Sequence, residues 1–322
     1  MSVNCSWSGT QKELADLYLR KLEIRFENKI EYSDYYLSYS GGKDSHLIYW
    51  FIKEYLKTDK IPIVSVNTRL EHKEIMQRMY RNADIVLIPT IKPMEIKNTF
   101  GIPCFTKAQD EYIKRYQHGN RSEHTLSRIM GTTPSKHNLN KKAREITLSG
   151  AAHKISNECC IKTKKETLAK YERETGKRAI IGVRTVESFN RQGAYHTCLS
   201  KNGKFSPIYD FPEIAVNAIY QVYNIETPKL YQCVKRTGCI GCPYINDPKR
   251  IEQDLALATP NQRKYIIQLF KESYDVKSVN YAQFLNNGIY VDLNGQFSMS
   301  IFYNDIIGQD RTSKPGEKYN SK

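Results

Sequence analysis

The sequence predicts an α/β protein: a parallel sheet flanked by helices, with a small C-terminal appendage. Three observations carry this. Short β-branched runs alternate with stretches of helical periodicity between Tyr35 and Ile88, the order that gives parallel strands joined by helical crossovers. A Gly-Gly turn stands where the first strand gives way to a helix. The chain has 322 residues, 40% of them hydrophobic and 26% charged, enough to bury a sizeable core.

In chain order, residues 12–30 place Leu14, Leu17, Tyr18 and Leu22 on one helical side. Tyr35 to Ser40 reads as a strand, and Ser45 to Leu56 as a helix with Leu47, Ile48, Phe51, Ile52 and Tyr55 at helical spacing. Ile61 to Val66 is a strand, Glu71 to Arg81 a helix and Ile85 to Ile88 a strand. From about Tyr116 to Ser156 apolar residues are sparse, and partial mobility is expected. Order resumes with a helix from Thr163 to Glu174 and a strand from Ala179 to Val183. A helical stretch follows Pro248 through about Phe270, and Tyr290 to Phe302 alternates around Asn294-Gly295, a two-residue hairpin signal. Two domains are expected, 1–245 holding the nucleotide site and 246–322 holding the helical segment and hairpin.

Lys and Arg number 49 against 34 Asp and Glu, a formal charge of +15 that favours polyanions such as nucleotides or nucleic acid. Twelve Lys or Arg against five Glu fall between Lys136 and Arg178. That stretch is either a solvated lysine-rich face or an anion-binding wall. No apolar run approaches the ~18 residues of a membrane span. Met1 to Thr10 lacks the basic-then-apolar pattern of a secretory signal. A cytoplasmic chain with no membrane partner is expected, and its eight cysteines then read as ligands or catalysts where clustered, not as disulfides.

Ser40-Gly41-Gly42-Lys43-Asp44-Ser45 lies at the strand-to-helix junction. Paired glycines let backbone N–H groups converge on an anion, and the helix N-terminus adds partial positive charge. Ser40 and Ser45 offer hydroxyls, Lys43 a cation, and Asp44 a helix cap. The alternative is a plain Gly-Gly turn ending in a cap. After the strand at Ala179 comes Gly182-Val183-Arg184-Thr185-Val186-Glu187-Ser188-Phe189-Asn190-Arg191. Its guanidinium groups, Arg184 and Arg191, suit sulfate or phosphate oxygens. The alternative is an exposed Glu187–Arg191 pair at i,i+4.

Cys159-Cys160 and Cys239-Ile240-Gly241-Cys242 supply four thiolates for a 4Fe–4S cluster or a zinc ion. Adjacent cysteines strain a single tetrahedral ion more than a cluster, whose irons are separate corners, so the balance tilts to iron–sulfur. Cys5, Cys104, Cys198 and Cys233 read as small hydrophobes.

The loop Ser40 to Ser45 resembles the pyrophosphate-binding loop of the ATP pyrophosphatase (PP-loop) superfamily, which implies an adenine nucleotide alpha-hydrolase-like parallel sheet. Within it, the chain from roughly Tyr35 to Tyr244 is similar to the phosphoadenosine phosphosulfate reductase family. Asn67-Thr68 resembles that family's Asp-Thr nucleotide element, with Asn in place of the carboxylate. Cys159-Cys160 with Lys164, and Arg236 to Pro243, are similar to adenylylsulfate reductases and to the enzymes that activate sulfur for DNA phosphorothioation. The resemblance thereby implies a 4Fe–4S cluster on Cys159, Cys160, Cys239 and Cys242. It also implies nucleotide binding by Ser40–Ser45, Asn67 and Thr68, and substrate binding by Lys164, Arg184, Glu187, Ser188 and Arg191.

The expected function is binding of ATP or a sulfonucleotide and action at the α-phosphate, with pyrophosphate release, in sulfur chemistry. Lys43, Asp44 and Arg184 would carry the catalysis, Mg2+ accompanying ATP with Asp44 as its contact. Sulfonucleotide reductases of this resemblance use a cysteine near the C-terminus, and no cysteine follows Cys242. Two alternatives stand beside this: reduction of an adenylylated sulfate with a thiol from a partner protein, and a basic, zinc-stabilised nucleic-acid-binding protein with a relict nucleotide pocket. A sulfur donor, a thiol protein and nucleic acid are the partners weighed.

Overall fold

The computed structural model describes residues 9–187, 193, 196–234, 236–285, 290–291 and 297–298. The described residues fall into two compact units, one within residues 1–102 and 156–239 and the other within residues 103–155 and 240–322. The units depart from a linear division at residue 245. The middle segment gathers its own buried apolar residues and packs with the later part of the chain.

The first unit holds a four-stranded sheet of β1 (Tyr35–Ser38), β2 (Ile63–Val66), β3 (Ile85–Leu87) and β4 (Arg178–Ile181). The order is β3-β2-β1-β4, and every pairing is parallel, with Leu37 opposite Ile63 and Ile180. The expected α/β architecture is therefore present. Tyr36 and Leu37 are fully buried, because β1 has a strand on each side and helices on its faces. Crossovers put β2 and β3 on one flank of β1 and β4 on the other. The topological switch lies between β1 and β4, where open α/β sheets form a ligand crevice beyond the strand ends.

Helix α1 (Gln11–Lys29) starts at a capping box of Thr10 and Glu13 and buries Leu14, Leu19, Leu22 and Phe26. Helix α2 (Lys43–Trp50) follows the glycine loop and continues as a π-turn, Phe51–Tyr55. Helix α3 (Lys73–Asn82) buries Ile75 and Met79, and α4 (Pro93–Phe100) opens on a proline at its first turn. After Ile102 the chain leaves the first unit and re-enters it at Ser156, whose N–H donates to the Ile102 carbonyl at 3.0 Å.

The second unit begins with α5 (Lys107–Gln117), α6 (Glu123–Met130) and α7 (Lys141–Leu148), capped by Thr106, Ser122 and Asn140. Cys104, Ile113, Ile129, Leu139, Ala143 and Ile155 are buried together. This corrects the expectation of a partly mobile stretch from Tyr116 to Ser156: the apolar residues are few, but each helix contributes one or two to a shared core. Asp110 accepts the Cys104 and Phe105 N–H groups at 2.8 and 3.0 Å, yet its burial pushes the carboxyl up to about 7.

Back in the first unit, α8 (Glu158–Cys160), a π-turn over Ile161–Lys165 and α9 (Glu166–Thr175) form one helical run that leads into β4. Helix α10 (Glu213–Val222) packs on α1 and buries Ala215, Val216 and Ile219. Arg25 of α1 donates to both carboxylate oxygens of Asp210 at 2.8 and 2.9 Å, fixing the turn that starts α10.

In the second unit α11 (Pro248–Leu257) and α12 (Pro260–Lys277) divide the expected helical stretch at Thr259-Pro260. The buried Arg263 donates to the Leu255, Ala256 and Ala258 carbonyls and so satisfies the end of α11. Strands β5 (Tyr290–Val291) and β6 (Phe297–Ser298) pair antiparallel, Val291 opposite Phe297. That register is one residue off the pairing that a two-residue Asn294-Gly295 turn would give. The turn itself lies outside the described residues.

Candidate functional site

The chain turns at Gly41, whose φ of 71° is a left-handed conformation open to glycine. The turn lets Ser40 and Ser45 lock the loop. The Ser40 N–H donates to Ser45 Oγ at 3.2 Å, the two hydroxyls stand 3.0 Å apart, and Ser45 Oγ donates to the Gly42 carbonyl at 3.0 Å. Gly42 then caps α2 without a side-chain hydrogen bond.

The end of β4 abuts this loop. A Cβ on Gly182 would sit 2.7 Å from the Ser45 backbone nitrogen and 2.9 Å from the Asp44 carbonyl carbon, so only glycine fits there. Two residues on, Arg184 is buried with Nε 2.8 Å from Asp44 Oδ1. Its Nη2 donates to Glu213 Oε2 at 2.6 Å, and Lys43 Nζ donates to the other Glu213 oxygen at 2.9 Å. Glu213 thus spans both cations from the first turn of α10. The Tyr231 hydroxyl accepts the Lys43 backbone N–H at 2.7 Å and stands 3.0 Å from Thr237 Oγ1, while the Tyr220 hydroxyl donates to the Lys43 carbonyl.

The two carboxylates on Arg184 shift in opposite directions. Burial drives Asp44 upward, and the Arg184 pair only partly offsets it. For Glu213 burial acts the same way, but the bonds from Lys43 and Arg184 outweigh it and hold the group low. Exposure explains the difference: the Asp44 side chain is 17% exposed and that of Glu213 56%. Burial pushes Tyr231 and Tyr220 up as well, so both act as neutral phenols.

These groups line a cavity of about 970 Å³ at the strand ends, with Gly42, Lys43, Arg184, Glu213, Tyr231 and Thr237 on its wall. A second cavity of about 130 Å³ is lined by Ser40, Val66, Glu71, Lys164 and Gly238. Lys164 and Arg184, both expected at the substrate, therefore line different cavities that share Ser40 and Thr237. Asn67 and Thr68 are turned to internal partners. Asn67 donates to the Tyr80 hydroxyl at 2.9 Å, and buried Thr68 donates to Glu71 at 2.7 Å. Glu187 ends a short 3-10 turn from Thr185, and Ser188 and Arg191 lie outside the described residues.

Of the expected metal ligands, Cys159, Cys160 and Cys239 belong to the first unit and Cys242 to the second. The four are free thiols. Cys239 forms a backbone bridge with Glu71. Burial raises its thiol, Lys164 opposes that, and the Cys160 thiol lies within electrostatic reach. Among the described residues no three His, Cys, Asp or Glu side chains gather as a ready metal site. The donor chemistry, free thiols with the Lys164 ammonium within electrostatic reach of Cys239, is of the kind a thiolate-ligated group uses.

Glu213, Tyr220 and Tyr231 escape sequence reasoning, and Thr237 enters it only as a member of the Arg236–Pro243 segment, with no role. The one local signal is Pro212-Glu213, a proline and an acid at a helix start.

The sequence pattern of the phosphoadenosine phosphosulfate reductase domain matches residues 34–245. No curated protein sequence matches the chain. Among solved structures, the chain is similar to phosphoadenylyl-sulfate (PAPS) reductase from Candida auris in its phosphate complex. The identity is 12%, the TM-score 0.37, and the match covers 70% of this chain and 93% of that one. It is also similar to the NH3-dependent NAD synthetase from Campylobacter jejuni in complex with nitrate, at 15% identity and TM-score 0.35, over 84% of this chain and 97% of that one. Among the described residues no helix is long and apolar enough to cross a membrane.

Proposed function

Because the chain belongs to the phosphoadenosine phosphosulfate reductase domain family, we propose that it is a cytoplasmic enzyme of sulfur chemistry acting at the α-phosphate of ATP or a sulfonucleotide. The observation that carries this is the meeting of the Ser40–Ser45 loop with Arg184 over one large cavity at the switch between β1 and β4.

In this reading the first-turn N–H groups of α2, the Ser40 and Ser45 hydroxyls and the Lys43 ammonium hold the pyrophosphate end. An acceptor oxygen attacks the α-phosphorus, the bond to the bridging oxygen breaks, and pyrophosphate leaves with the electron pair. Lys43 and Arg184 offset the charge that gathers on the departing oxygens, while Asp44 keeps the Arg184 fork aimed into the cavity. Mg2+ entering with ATP would take Asp44 as a ligand and neutralise phosphate charge. A 4Fe–4S cluster on Cys159, Cys160, Cys239 and Cys242 would anchor sulfur or brace the chain, with zinc as the alternative occupant. Burial holds Cys239 toward the thiol form, and Lys164 offsets part of that.

The absence of cysteine from residues 243–322 counts against sulfate reduction by this chain alone; the alternative, reduction of an adenylylated sulfate, would draw its thiolate from a partner protein. The basic stretch from Lys136 to Arg178 keeps nucleic acid as a candidate acceptor.

The test is incubation of anaerobically purified protein with ATP and Mg2+, with and without nucleic acid, scored for pyrophosphate. Release is expected. Lys43→Ala should weaken ATP binding by about 1.5–3 kcal/mol through loss of a charge-assisted contact. ATP affinity unchanged in that variant removes the loop assignment.

A further inference from the structure

The donors expected to receive a phosphate are already engaged by internal acceptors. Lys43 Nζ and Arg184 Nη2 share the two oxygens of Glu213 at 2.9 and 2.6 Å, and the Lys43 N–H is taken by the Tyr231 hydroxyl at 2.7 Å. Asp44 also faces Arg184, but it belongs to the loop and is mostly buried. Glu213 differs in kind. It comes from another helix, is 56% exposed, and its carboxylate can swing into solvent at little cost in desolvation.

We propose that Glu213 is an internal competing anion that makes the site selective for highly charged phosphate chains over single oxyanions. This rests on the reading of Ser40–Ser45 as the phosphate site. The reason is an exchange balance. A sulfate, or a lone phosphate, displaces one carboxylate and regains much the same pair of contacts with Lys43 and Arg184, so its net gain is small. A pyrophosphate end carries more charge and more acceptor oxygens. It can seat on the remaining loop N–H groups and the Ser40 and Ser45 hydroxyls, which Glu213 does not occupy, and so need displace Glu213 from only one of the two cations. Glu213 therefore sets a threshold that the longer anion clears and the shorter one does not. The anchoring of α10 by the Arg25–Asp210 pair keeps that carboxylate presented at the site.

The experiment is calorimetric titration of the full chain with sulfate and with pyrophosphate, in chelator and without divalent metal, for wild type, Glu213→Gln and Glu213→Asp. Wild type should prefer pyrophosphate strongly. Glu213→Gln should tighten sulfate by about tenfold or more, the equivalent of ~1.4 kcal/mol, and tighten pyrophosphate less, narrowing the ratio. Glu213→Asp, which keeps the charge, should stay nearer wild type. A general structural role would move both anions together and leave their ratio alone. An unchanged ratio, or weaker binding of both anions in Glu213→Gln, overturns the inference while the phosphate site stands. Failure of pyrophosphate to bind wild type overturns the phosphate-site reading and the inference with it.

Discussion

Arg184 Nε stands 2.8 Å from Asp44 Oδ1, joining the end of β4 to the first turn of α2 across 140 residues of sequence. Both side chains are largely buried, so neither charge has much recourse to water. Arg184→Met should destabilise the first unit by about 3–5 kcal/mol, the usual cost of stranding one member of a buried pair. Asp44→Asn should cost less, because burial already disfavours its ionised form. Urea midpoints for the two variants check the order; equal losses would show that the pair is not what holds the junction.

Gly182→Ala is a small change with a large expected effect. The new methyl would meet backbone atoms of Asp44 and Ser45, which cannot rotate away as a side chain can. Either β4 or the start of α2 must shift. Stability should fall by about 1–3 kcal/mol, with nucleotide affinity falling in parallel. Unaltered affinity would mean that the loop tolerates displacement.

Iron content tests the cysteines. Cys239→Ser and Cys160→Ser should lose iron and the brown colour of an anaerobic preparation, whereas Cys198→Ser should keep both. Full iron occupancy in Cys239→Ser would show a different ligand set, and one zinc per chain in colourless wild type would replace the cluster.

His46 gives a pH signature. Its Nδ1 is 3.0 Å from the Tyr39 hydroxyl, which already accepts from Asn82 and so has its proton to give to an unprotonated ring nitrogen. Burial, with Arg78 and Arg81 adding to it, lowers the group from 6.5 to about 3. The unfolded chain therefore binds the proton more readily. This contribution is intact above pH 6.5 and is lost as pH falls from there toward 3, at up to ~1.4 kcal/mol per pH unit. His46→Gln should flatten the unfolding free energy over that window; an unchanged slope would assign the acid lability elsewhere.

The strands, α1 to α3 and the glycine loop were legible because each announces itself locally. Gly41-Gly42 needs no distant partner to read as a turn, and Ile63-Val64-Ser65-Val66 reads as a strand alone. Glu213 and Tyr231 were not legible, since each acts only through the placement of Lys43, some 170 and 188 residues away. Helices α5 to α7 were hidden for another reason. Their buried residues, such as Ile113, Ile129 and Ala143, are diluted one or two to a helix, below the density that periodicity detects. Their caps at Thr106, Ser122 and Asn140 were the readable sign.

The hydrogen bond from Ser156 to Ile102 makes the departure and return of the chain a single closed neck. Closing a longer excursion costs only about 0.6 kcal/mol for each doubling of its length. The entropy of closing that excursion therefore depends only weakly on its length. Residues 103–155 leave and rejoin the first unit at neighbouring points of the chain, and their buried residues belong to the core of the second unit, with Val276 packed against them.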